Sequence, residues 1–200
     1  MHASLYARPD KPKGLTVTKR RGGLAMARLE IPEIIETHSV TECHVTPKDE
    51  SKRMVKYLGG ASNKSTLEPQ AGTGNLLQAL FDAGQEPGNI VAIEKNINLC
   101  ATLNKRFENK KGFTPLNDCF LSYADEVQGG MKFQRILCNP PFKKVKAHIK
   151  AALSLLDKNG VLVALVPVTY QHEDAEELEI LSNETFRTAK VYTKIIRIIK

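Results

Sequence analysis

Short apolar runs alternate with longer segments of helical period along most of this chain, and that alternation restricts the fold more than any other feature. Strands are expected near Ser65–Leu67, Ile90–Ile93, Phe113–Leu116, Phe133–Leu137, Val161–Val166 and Thr193–Ile199. Helices are expected over Lys48–Leu58, Asn75–Ala83, Asn96–Phe107, Ser122–Val127, Lys144–Leu156 and Ala175–Leu181. Such a sequence argues for an open α/β sheet, mostly parallel, with helices on both faces. Ligands of these sheets bind beyond the carboxyl ends of the strands. Four unusual segments fall at such ends: Glu68–Gly74, Glu94, Asp118 and Asn139–Phe142.

With 200 residues, 42% hydrophobic and 26% charged, the chain can bury one sizeable core. Its longest apolar stretch, Gly160–Val168, is far short of the ~20 residues of a membrane helix, so a cytoplasmic protein without a membrane partner is expected. Cys43, Cys100, Cys119 and Cys138 form no CxxC pair, which favours reduced, packed thiols and no metal site. The net charge of +7 suits a polyanionic partner. Between Arg8 and Arg28, however, seven basic side chains stand against one acidic, so most of that charge is local.

Residues 1–28 have no apolar period and read as a basic, disordered arm, followed by one domain over 29–200. A second reading makes residues 1–25 a translated leader: Lys19–Gly23 can be encoded by a purine run resembling a ribosome-binding sequence, and Met26 follows closely. Roughly 33 residues follow the fifth expected strand, fewer than the ~50 that a separate target-recognition domain needs. Target recognition then falls to short loops, a second protomer of a homodimer or a specificity partner.

In Leu67-Glu68-Pro69-Gln70-Ala71-Gly72-Thr73-Gly74-Asn75 a strand runs into a turn whose glycines permit close backbone approach before a helix, and backbone donors there suit an anionic group. Glu94 ends the second strand about 20 residues on, where a carboxylate can accept from both ribose hydroxyls of a nucleoside cofactor. This arrangement also fits a nicotinamide dinucleotide, but Leu77 stands where GxGxxG requires its third glycine. Cys138-Asn139-Pro140-Pro141-Phe142 follows an apolar strand. Its prolines lock the backbone and leave the Asn139 amide oxygen and Pro140 carbonyl as fixed acceptors, a site for an NH₂ group. Two acceptors on the hydrogens of a delocalised amine would favour a pyramidal nitrogen and free its lone pair. Phe142 can stack on the planar substrate.

Glu68–Gly74 resembles the first motif of Rossmann-like S-adenosylmethionine methyltransferases, and Ile93-Glu94-Lys95 resembles their acidic ribose motif. Asn139–Phe142 is similar to the (D/N/S)PP(Y/F/W) motif of amino-methyltransferases, in the form carried by adenine-N6 DNA, RNA guanine-N2 and protein glutamine enzymes. The resemblance covers roughly Thr46–Lys200. It implies a seven-stranded, mostly parallel sheet with an antiparallel C-terminal strand. It also implies S-adenosylmethionine as cofactor, held by Thr46, Pro47, Glu68, Pro69, Ala71, Gly72, Gly74, Glu94, Lys95, Asp118, Cys119 and Asn139. Asp118 taken alone reads equally well as a turn or cap, and Thr46-Pro47 as a helix start. Asn139, Pro140, Pro141 and Phe142 would form the catalytic element, and Lys143, Lys144 and Lys146 could meet phosphates, although a solvated helix face accounts for them too. The expected reaction is N-methylation of a nucleic-acid amino group, with adenine N6 in DNA as the leading target and RNA or a protein glutamine as alternatives. A non-catalytic nucleic-acid-binding regulator on the same fold is the reading from another class.

Overall fold

The computed structural model describes residues 44–186 and 191–200. The basic arm, the leader and Cys43 lie outside the described residues. The described elements run α1 (Lys48–Tyr57), β1 (Thr66–Glu68), α2 (Asn75–Asp82), β2 (Ile90–Ala92), α3 (Ile97–Arg106), α4 (Phe120–Glu126), β3 (Phe133–Cys138), α5 (Val145–Leu155), β4 (Leu156–Pro167), β5 (Ala175–Leu181) and β6 (Thr193–Ile199). They form one sheet in the order β2-β1-β3-β4-β6-β5. The first four strands pair parallel, and β6 runs antiparallel to both β4 and β5.

Side-chain alternation along the strands feeds two cores. Leu137, Val163, Leu165 and Ile195 join Met54, Leu77, Leu80 and Leu103 from α1, α2 and α3. Leu67, Ile136, Leu162, Ala164 and Ile196 join Phe120, Tyr123, Ile149 and Leu155 from α4 and α5. The period-2 pattern thus sends successive residues of one strand to opposite layers, and the sheet is covered on both faces.

Two expectations are corrected. The described sheet has six strands, not seven, because Phe113–Leu116 does not form a strand; it contributes one parallel bridge, Leu116 opposite Ile93. Pro115 has no N–H to donate, and Phe113 turns into the aromatic cluster of Phe81 and Phe107. Leu116 alone completes the pairing, donating to the Ala92 carbonyl and accepting from the Glu94 N–H.

The second correction is Ala175–Leu181, read from sequence as a solvated acidic helix and found as the edge strand β5. Its charges are placed by partners remote in sequence. Glu176 pairs with Arg197, Glu177 with Lys194, and Glu179 with Arg53 and Tyr57 of α1. A register shift between Glu177 and Glu179 accommodates this split. Cross-strand charge pairing and sheet hydrogen bonds outweigh local helix propensity here.

Among the described residues no helix is long and apolar enough to cross a membrane, and no group of three or more His, Cys, Asp or Glu side chains could hold a metal ion.

Candidate active site

The carboxyl ends of β1, β2 and β3 meet in a cavity of about 560 Å³. Among the residues singled out from sequence, Thr46, Glu68, Pro69, Ala71, Gly72, Glu94, Lys95, Asp118, Cys119, Asn139, Pro141 and Lys144 line it. Pro47, Gly74, Pro140, Phe142, Lys143 and Lys146 do not. Pro47 sits at the start of α1. Pro140 is buried beneath the loop, and Lys143 and Lys146 are exposed beside it.

The glycine loop joins β1 to α2. Gly72 and Gly74 both have positive φ, 53° and 84°. At Gly74 a Cβ would meet Leu103 Cδ2 at 2.6 Å and Phe107 Cε2 at 2.9 Å, so this glycine serves the close approach of α2 to α3. The N–H of Gly72 donates to Glu94 Oε2 (2.7 Å), and that of Asn96 to Glu94 Oε1 (2.7 Å). The Ala71 N–H goes to the Ile93 carbonyl (2.8 Å) and the Gly74 N–H to the Ala71 carbonyl (2.8 Å). Three of the loop's donors, those of Ala71, Gly72 and Gly74, are therefore engaged within the chain, while the first-turn N–H groups of α2 have no partner within the helix. Arg106 supports the loop from α3 by donating to the Thr73 carbonyl (2.7 Å).

The cavity also presents acceptors. Glu68 Oε2, Gln70 Oε1 and Asn139 Oδ1 are buried without a hydrogen-bond partner, and all three residues line it. Unpaired buried oxygens each cost about 1–3 kcal/mol, so three at one place mark a site shaped for a donor-rich or cationic ligand. The two lysines that reach the cavity, Lys95 and Lys144, are exposed.

Glu68 is 1% exposed, and burial, with the Glu94 carboxylate adding to it, pushes its carboxyl well above the usual range; the Arg106 guanidinium pulls the other way. A carboxyl raised on folding stabilises the protein below its unfolded pKa and loses that contribution as pH rises through its folded pKa. Urea unfolding of the ligand-free protein should therefore show Glu68→Gln gaining about 1–3 kcal/mol over wild type at pH 8, with the advantage shrinking toward pH 5. An equal difference at the two pH values would remove Glu68 as the titrating group.

Around the catalytic loop, Asn139 Nδ2 donates to the His44 carbonyl (2.7 Å) and to Thr46 Oγ1 (2.9 Å). Two acceptors on one side identify which end of the amide is nitrogen and leave the oxygen directed elsewhere. Phe142 does not stand open to a substrate: its ring stacks on His44 at 4.7 Å between centroids, with Phe186 edge-on at 6.1 Å.

Among the lining residues that sequence reading did not single out are Ile97, Gln70, His148 and His44. Ile97 is 67% exposed yet lines the cavity, an apolar wall at the first turn of α3. Its signal was present: an apolar residue three places after Glu94 and directly after Asn96, whose side chain caps α3 by accepting from the N–H groups of Asn98 and Leu99. Gln70 meets His148 Nδ1 at 2.9 Å, and burial, aided by the Lys144 ammonium, holds His148 below the ordinary imidazole value. His44 completes the set, and nothing in the local sequence links it or His148 to the site. Cys119 lies on the wall, its thiol lowered first by a hydrogen bond from the Ser122 backbone.

No protein-family model matches the chain. It is 23% identical to the type II restriction enzyme and methyltransferase RM.BcgI of Heyndrickxia coagulans, over 75% of this chain and 28% of that protein. The chain thus spans little more than a quarter of that relative's length. In structure it is similar to the 23S rRNA methyltransferase ErmE, with TM-score 0.65 and 14% identity over 79% of this chain and 70% of that one. A type I restriction-modification methyltransferase subunit from Streptococcus thermophilus superposes with TM-score 0.64 and 17% identity, over 78% of this chain and 44% of its own. These likenesses establish a methyltransferase fold.

Proposed function

We propose that this protein is an S-adenosylmethionine-dependent N-methyltransferase acting on an exocyclic amino group of nucleic acid, with adenine N6 in DNA as the leading target. The observation that carries the reading is the Asn139 amide, anchored through its nitrogen with its oxygen buried, unpaired and lining the cavity. An unpaired acceptor beside two prolines suits an N–H donor.

The cofactor fits the residues present. Glu68 would hold its ammonium through the orphaned oxygen, Glu94 its ribose through its remaining lone pairs, and Ile97 and Asp118, which both line the cavity, its adenine. A nicotinamide dinucleotide fits less well, because Leu77 stands where GxGxxG requires its third glycine and the Gly72 N–H is already engaged by Glu94. When bound, S-adenosylmethionine supplies an electrophilic methyl group on a sulfonium. Asn139 Oδ1 would accept an N–H of the amine and so orient its nitrogen for transfer. Lys143, Lys144 and Lys146, exposed at the start of α5, suit the phosphates flanking the target base. Phe142 can stack on that base only if the His44 ring yields.

An RNA amino group is the second reading. ErmE, named for 23S rRNA methylation, carries the same fold, and an amide acceptor does not separate an adenine amine from a guanine amine. Transfer of labelled methyl from S-adenosylmethionine to DNA, RNA and protein pools, followed by identification of the modified group, tests all of this. Label on a DNA adenine amino group is the expected result. Label confined to RNA replaces the leading target with the second reading, and label confined to protein replaces nucleic acid with a glutamine amide. No transfer to any pool leaves the non-catalytic regulator.

A further inference from the structure

Thr46 is buried and stands between the two loops of the site. Its carbonyl accepts from Asn75 Nδ2 at 2.9 Å, and its hydroxyl accepts from Asn139 Nδ2 at 2.9 Å. Asn75 is the first residue of α2, where the glycine loop ends, and its Oδ1 lies 3.4 Å from Arg106 Nη1, the same guanidinium that holds the Thr73 carbonyl. A chain of polar contacts therefore runs from the floor of the glycine loop through Thr46 to the catalytic amide. An amide presents opposite chemistry at its two ends. Turned one way Asn139 offers the cavity an acceptor, and turned the other way it offers two donors. Side-chain amides of similar shape at both ends are held in one facing only by their partners.

We infer that Thr46 is a positioning residue that fixes the facing of the Asn139 amide, so that the site selects a neutral amine donor and couples that selection to the cofactor loop. This rests on the N-methyltransferase reading above. With the hydroxyl removed, the His44 carbonyl alone orients the amide. The flipped form then competes, placing an N–H where the substrate's own N–H must sit. The hydroxyl acts only through Asn139, so its removal should matter only while Asn139 is present.

The test measures kcat at saturating S-adenosylmethionine on the acceptor found by label transfer, for wild type, Thr46→Val, Thr46→Ser, Asn139→Ala and Thr46→Val/Asn139→Ala. Loss of one orienting hydrogen bond predicts a fall of about tenfold in Thr46→Val, recovery to within about threefold of wild type in Thr46→Ser, and no further fall in the double variant. A readout independent of turnover is the Asn139 side-chain amide resonance, assigned by its absence in Asn139→Ala. Its solvent exchange should be slow in ligand-free wild type and faster by about tenfold or more in Thr46→Val. Wild-type kcat in Thr46→Val, a Thr46→Ser variant as impaired as Thr46→Val, or the same penalty with and without Asn139 overturns the inference while leaving the methyltransferase reading in place. A wild-type protein that methylates nothing overturns both.

Discussion

Replacing Asn139 by alanine lowers kcat by about 10²–10³-fold at saturating cofactor and substrate, the range seen when one preorganised polar contact to a transition state is deleted. An exocyclic amine on an aromatic ring is planar and its lone pair is delocalised, so attack requires it to become pyramidal. An acceptor gains strength as the N–H groups grow more positive along that path, which makes its contribution larger in the transition state than in the ground state. Asn139 Oδ1 is buried and unpaired before substrate arrives, so it needs no reorganisation to act. Cofactor affinity should change by less than about threefold, because Glu68 and Glu94 keep their places on β1 and at the end of β2. Asn139→Asp is the informative partner variant. It keeps an acceptor for the amine but sets a carboxylate oxygen against the His44 carbonyl where Nδ2 now donates, and its kcat should lie between the other two. Single-turnover rates with prebound cofactor give the comparison. Wild-type turnover in Asn139→Ala would sink the mechanism.

The parts of this site that sequence made legible are those whose chemistry is local. Positive-φ turns need glycine, and paired prolines need a chain that can dispense with N–H groups. For that reason Glu68–Gly74 and Asn139–Phe142 could be placed at strand ends before any coordinates, and the structure brings the ends of β1, β2 and β3 to one cavity. Thr193–Ile199 was legible from an apolar run bounded by polar residues, and it is β6 over the same span. What failed depended on partners far along the chain. Ala175–Leu181 carries a helix-like spacing of Leu178 and Leu181, and only Arg197, Lys194 and Arg53 make it a strand. Thr46 read as a cap or cofactor contact because its hydroxyl partner, Asn139, is 93 residues away. In the glycine loop, sequence shows which N–H groups exist but not which are already engaged. Gly72 and Asn96 give theirs to Glu94, which ties the glycine loop to the start of α3.

That same pair of contacts makes Glu94 the residue whose loss should most weaken cofactor binding. Each carboxylate oxygen accepts one backbone N–H at 2.7 Å, so Glu94 closes the glycine loop against the start of α3 before any ligand binds. Each oxygen keeps a further lone pair, and a ribose diol would add a charge-assisted hydrogen bond to each. Two such bonds at about 1.5–3 kcal/mol apiece predict that Glu94→Ala weakens S-adenosylmethionine binding by about 10²–10⁴-fold, with loosening of the loop acting in the same direction. Glu94→Gln should be nearly as poor. A carboxamide has one acceptor end, so its NH₂ must face either the Gly72 or the Asn96 N–H, donor against donor. The main-chain contacts of Glu94 survive both changes, since its N–H bonds the Leu116 carbonyl and its carbonyl accepts from Asn117 Nδ2. The strand end should therefore remain in place and the variants remain folded. Titration calorimetry on wild type and both variants, with a nicotinamide dinucleotide run in parallel, provides the measurement. Binding within about threefold of wild type in Glu94→Ala removes the ribose role, and tighter binding of the dinucleotide by wild type overturns the cofactor assignment itself.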